Sequence, residues 1–136
     1  MTLPRRAAFA TLAFLLAAPG TRAQAAAPGR DPVQEERNRR LVVEFYEGAF
    51  IHRDFGVVRR LLAEDGRARF ATLFNRILAT GPEARSRIVR SAAEGDLVWL
   101  QVHAIPAPDA AGSTIVDVFR VTDGRIAEHW DVAQPA

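Results

Sequence analysis

A chain of 136 residues with 18 basic and 16 acidic side chains has the length of a single domain and little net charge. It contains no cysteine, which excludes a disulfide framework, a thiol nucleophile and a cysteine-ligated metal. Every basic side chain is arginine, whose very high pKa lifts the isoelectric point without making a basic surface, so no nucleic-acid partner is expected.

Residues 1–25 read as a secretory signal peptide. Met1 to Arg6 is a positive start, Ala7 to Ala18 an apolar run, and Ala23-Gln24-Ala25 a small-x-small cleavage site. The run is shorter than the ~20 residues that span a bilayer, which argues against a membrane anchor. Arg5-Arg6 leaves general and twin-arginine export both open. Cleavage removes Arg5, Arg6 and Arg22, so the mature chain has a net charge of about −1 and is expected in the periplasm or outside the cell, with no membrane association. Residues 26–32, with Pro28, Gly29 and Pro32, form a linker, and the domain runs from 33 to 136.

Leu41, Val42, Phe45, Tyr46, Ala49 and Phe50 recur at helical spacing and predict an amphipathic helix over about 33–51. Asp54 is placed to N-cap a second, short helix with Phe55, Val58, Leu61 and Leu62 inward. Phe70, Leu73, Phe74, Ile77 and Leu78 predict a third, stopped by Gly81-Pro82. After Pro82 the pattern changes to strands: Arg85 to Ala92, a turn at Glu94-Gly95-Asp96, Leu97 to Ile105, a loop from Pro106 to Ser113, and a closing hairpin. In that hairpin Ile115 to Val121 and Ile126 to Val132 flank Asp123-Gly124, a pair suited to a type I′ turn because both residues tolerate φ > 0. Helices first and an antiparallel sheet afterwards is an α+β layout.

A regular two-residue turn would place Asp117 opposite Trp130, Val118 opposite His129 and Val116 opposite Asp131. One face would then hold Val98, Leu100, Val102, Ile115, Asp117, Phe119 and Trp130, and the other Trp99, Gln101, His103, Arg120, His129 and Asp131. An acid on the apolar face either stays neutral and exchanges a proton or bonds an arginine or a backbone amide. His103, His129 and Asp131 on the other face either ligate a metal, relay a proton, or are solvated or buried at a subunit contact. Tyr46 either offers its hydroxyl to a pocket or is plain core. Trp99 is expected to stack near Arg120.

Asn38 to Phe50, Ala93 to Val98 and the run from Val116 to Val132 resemble the NTF2-like superfamily, and within it the SnoaL-like proteins, over about 100 residues. The segment Asp123-Gly-Arg-Ile-x-Glu-His-Trp130 is the most specific part of the likeness. The resemblance implies an α+β fold in which a cone-shaped, curved antiparallel sheet packs against three N-terminal helices around a small-molecule pocket, commonly as a homodimer. Leu61 to Arg67 leads almost directly into the next helix, so one strand of that cone is missing. Relatives include ketosteroid isomerases and polyketide cyclases, which work without cofactor, and the resemblance implies an oxyanion-binding role for Asp117. The sequence reading is therefore an exported protein binding a small, mostly apolar carbonyl compound, with Asp117, His129 and Asp131 as catalytic candidates. Tyr46, Val102, Phe119 and Trp130 are the expected ligand contacts, and neither cofactor nor metal is expected. The alternative is a ligand-binding or accessory module of the same fold without chemistry.

Overall fold

The computed structural model describes residues 29–64, 75, 79 and 81–135. Helix α1, Pro32–Tyr46, starts where Asp31 accepts hydrogen bonds from the backbone N–H groups of Val33 (3.0 Å) and Gln34 (3.1 Å), with proline in the first turn. A π-helical turn, Glu47–His52, continues it and ends at Arg53 in the left-handed region (φ 55°). Gly48 suits that turn because a Cβ there would lie 3.0 Å from Val57 Cγ1. Asp54 then caps α2, Phe55–Leu61, by accepting from Gly56 N (2.9 Å) and Val57 N (3.2 Å), as expected.

The strands are β1 Arg85–Glu94, β2 Leu97–Ile105, β3 Ser113–Thr122 and β4 Arg125–Pro135. They form one antiparallel sheet in the order β1-β2-β3-β4, each strand hydrogen-bonded to the next in sequence. The expected cone is thereby corrected. Among the described residues β1 and β4 are opposite edges of an open meander, and no strand joins them to close the sheet. The described residues hold two α-helices rather than three, and the third helix expected over Phe70 to Leu78 lies, Asn75 apart, outside them. Where the missing strand would run, Leu62 makes a single parallel bridge to Ile126, and Ala63 donates its N–H to the Ile126 carbonyl at 3.0 Å.

The core lies between α1 and α2 on one side and the sheet on the other. Val42, Phe45, Tyr46 and Ala49 of α1 and Val58, Leu61 and Leu62 meet Val98, Leu100, Val102, Phe119, Val121 and Ile126 of the sheet. Phe119 packs edge-on against Phe45 with ring centroids 5.8 Å apart. Two buried polar groups of α1 fasten the helix to the β1–β2 turn. Glu35 accepts from Gly95 N (2.9 Å) and is bridged by Arg30, while Asn38 donates to the Gly95 carbonyl (3.1 Å). Among the described residues no helix is long and apolar enough to cross a membrane.

Candidate functional site

The β3–β4 hairpin is built as the type I′ signal requires, with Asp123 at φ 50° and Gly124 at φ 68°. Val121 pairs with Ile126 and Thr122 with Arg125, as in a regular turn. The register then shifts: Arg120 pairs with Glu128, leaving Ala127 as an extra residue in β4. From there on Phe119 faces His129, Val118 faces Trp130, Asp117 faces Asp131 and Val116 faces Val132.

That single bulge exchanges the faces of β4 relative to the regular-register expectation. His129 and Asp131 turn toward the helices, onto the face of Asp117, and Trp130 turns outward. Asp117 therefore has His129 as its neighbour in place of Trp130. His129 Nε2 and Asp117 Oδ1 are 2.8 Å apart, with side chains 11% and 7% exposed. The ligand-type atoms of Asp117, His129 and Asp131 all lie within 4.8 Å of one another. The imidazole ring also lies against Phe119, centroids 4.6 Å apart and planes tilted by 36°, which fixes its orientation from the apolar side.

The other candidates sort as follows. His103 stays on the outer face, paired with Thr114 and Arg87, so the expected group of His103, His129 and Asp131 is not formed. A Cβ at Gly112 would come within 2.5 Å of the His103 ring, so that histidine packs against its own loop. Trp130 is 47% exposed and lies across the sheet from Asp117's side, so the expected pairing of Asp117 with Trp130 is corrected by the bulge. Arg120 sits over Trp130, 5.8 Å from the ring centroid, and not over Trp99 as expected, and it bonds Asp96 and Glu128 as well. Val102 and Phe119 are fully buried on the inner face, and Tyr46 stacks on Phe50 at 4.5 Å within the core. A hollow of about 610 Å³ opens beside the bulge between Ala63, Thr122, Arg125 and Glu128, but its lining includes none of the three clustered residues.

All three members of the cluster are legible as candidates in the sequence, but their convergence is not. The available signal was charge pairing: only the bulged register sets Glu128 directly opposite Arg120, 3.4 Å apart, where the regular one opposes Arg120 to an alanine.

An imidazole held by a buried carboxylate, with a second carboxylate close by, is a proton-exchanging arrangement. The hairpin that carries it lies at the end of the segment matched by the SnoaL-like domain, which spans residues 35–129. The chain belongs to the SnoaL-like family. Its fold is that of the NTF2-like superfamily, and solved structures agree. A candidate ketosteroid isomerase from Kribbella flavida superposes with a TM-score of 0.65 at 20% identity, covering 76% of this chain and 82% of that one. IdmH, a candidate polyketide cyclase from Streptomyces antibioticus, gives 0.58 at 21% identity over 71% and 91%. An LEH-like epoxide hydrolase from M. tuberculosis gives 0.60 at 26% identity over 74% and 85%. No curated protein sequence matches the chain.

Proposed function

We propose that this SnoaL-like protein is exported, binds a small, largely apolar carbonyl compound against Asp117, His129 and Asp131, and moves protons on it as a cofactor-free isomerase or cyclase. The 2.8 Å contact between His129 and Asp117 carries the reading. In it His129 exchanges the proton, while Asp117 holds the ring in one tautomer and steadies the imidazolium. Asp131, its cross-strand neighbour, lies close enough to take or return a second proton. The apolar surroundings given by Val102 and Phe119 strengthen such electrostatic contacts and suit a hydrophobic ligand.

The test is a panel of small ketones and enones, screened by thermal shift and then followed for α-proton exchange in heavy water. Wild-type protein should exchange protons on a bound compound. His129→Gln, with folding intact, should slow exchange by roughly 10²–10⁴-fold, the usual contribution of a positioned acid–base group. Binding without exchange in the wild type supports the non-catalytic ligand-binding module instead. The 26% identity to the epoxide hydrolase favours a second reading, in which His129 activates water. Isotopically labelled water appearing in a diol product would select it.

Export and self-association complete the proposal. A mature protein beginning at Ala26 in the extracytoplasmic fraction would support cleavage after Ala25. The outer face of the sheet, where Val116, Trp130 and Val132 are exposed, is the surface offered for a homodimer, and light scattering reads it directly.

A further inference from the structure

We propose that the hollow between the π-helical turn and the start of β1 is a second binding site, which takes a small carboxylate carrying an apolar tail. Its lining includes none of Asp117, His129 and Asp131, so the proposal stands apart from proton transfer at that cluster.

The hollow measures about 360 Å³, the low end of the range for small-molecule sites. Phe50, Ile51 and Arg53 line one side, and Pro82, Arg85 and Ser86 the other; among the described residues no acid lines it. One wall is apolar. In the π turn Phe50 stacks on Tyr46, 4.5 Å between ring centroids, which fixes the ring, while Ile51 stays 44% exposed. Covering these side chains and Pro82 removes apolar surface from water, which favours an occupant with a hydrocarbon part.

The other wall is cationic. Arg85 Nη1 donates to the carbonyls of Pro82 (3.3 Å) and Ala84 (3.2 Å), so the turn before β1 holds the guanidinium in place. Arg53 steadies that turn by donating to the Gly81 carbonyl at 2.6 Å, and nothing further is asked of it. Glu83 pairs with Arg85 at 3.7 Å, with the two side chains 64% and 67% exposed, a separation and exposure at which an ion pair contributes little. Nε and Nη2 of Arg85 can therefore turn to a carboxylate, which a guanidinium grips through two parallel N–H bonds. Ser86 lines the same wall, and its hydroxyl adds a donor for that group. One guanidinium and one hydroxyl suit a monoanion with two oxygens better than a phosphate dianion, and a cation would be repelled by Arg85.

Titration of isotope-labelled protein with sodium octanoate, followed by nuclear magnetic resonance, provides the test, with octylammonium chloride and inorganic phosphate as comparisons. The amide signals of Ile51, Arg53, Ala84 and Ser86 should shift together and saturate at one octanoate per chain. Octylammonium should leave them in place, and phosphate should bind about fivefold more weakly or less, since it has no tail for the apolar wall. Arg85→Gln should weaken octanoate binding by about fivefold or more, and Arg85→Lys nearly as much, because an ammonium cannot grip both oxygens from a fixed plane. Arg85 is exposed, so a folded variant is expected, checked by far-ultraviolet circular dichroism. Glu83→Gln, which removes the competing acid, should leave binding equal or tighter. Absence of saturable shifts at those four amides overturns the proposal, as does equal binding of octylammonium or phosphate. So does binding that survives Arg85→Gln or is weakened by Glu83→Gln. Shifts centred on Asp117, His129 and Asp131 instead would place octanoate at the other cluster and overturn it too.

Discussion

Coupling between Asp117 and His129 is the sharpest test of the site, because the bulged and the regular register of β4 predict opposite results. In the bulged register the two side chains share a 2.8 Å contact and are 7% and 11% exposed. A hydrogen bond to a charged group in such surroundings is worth about 1.5–3 kcal/mol, well above the ~1 kcal/mol ceiling of an exposed ion pair. Removing one partner costs more than that, since the other loses a buried hydrogen bond, but removing both cancels that loss. A double-mutant cycle of Asp117→Ala and His129→Ala, measured by urea unfolding and followed through tryptophan fluorescence, should therefore give a coupling of about 1.5–3 kcal/mol. Should the alanine variants unfold, Asp117→Asn with His129→Gln gives the same sign at smaller size. Asp117→Ala and Trp130→Ala should be additive, because those residues lie on opposite faces. Additivity of Asp117 with His129 within about 0.5 kcal/mol, or coupling of Asp117 to Trp130, would refute the bulged register and the site with it.

Deletion of Ala127 removes the extra residue without changing which residues pair from Arg120 onward, so the Asp117–His129 coupling should survive it within about 0.5 kcal/mol. Glu35 is held at a pKa of about 2 against an ordinary 4.5, first by its hydrogen bonds from Arg30 and then by the Gly95 N–H. A depressed carboxyl stabilises the fold above its unfolded-state value and loses that contribution as pH falls from about 4.5 toward 2. Thermal melts of wild type and Glu35→Gln should accordingly differ most at neutral pH and converge across that window. Asp54→Ala removes the side-chain cap of α2 and should cost about 1 kcal/mol in denaturant unfolding, whereas Asp54→Asn should cost far less.

How far the sequence could be read depended on whether a feature was local. The cap at Asp54 and the positive φ angles of Asp123 and Gly124 follow from residue types acting on their own backbone, and all are where the sequence places them. The inward set Val98, Leu100, Val102, Phe119 follows from alternation, which holds through β2 and β3, where Val98 pairs with Phe119 and Val102 with Ile115. Whether the sheet closes is not local. Closure needs a strand to join β1 to β4, and no pattern within either strand says whether that link is made. The α1 helix shows an intermediate case: its apolar stripe covers the expected span, but the change to π winding after Tyr46 answers a tertiary demand, the close approach of Gly48 to Val57.

The bulge lies between these extremes and decides the chemistry. Period-two reasoning is valid only up to the first extra residue, and in β4 that residue comes one position after the first inward one, Ile126. Everything with chemical character, His129 and Asp131 included, lies beyond it. Ile126 is pinned on its far side by Ala63, whose N–H bonds its carbonyl, and Arg125 reaches back to the Leu62 carbonyl. The short contact that stands where the sequence lacks a strand of the family's cone is thus made at the residue next to the bulge. A regular β4 would leave Asp117 facing an indole and send His129 to the solvent side. With Ala127 as the extra residue, the same sequence assembles an imidazole and two carboxylates on the face that the helices cover.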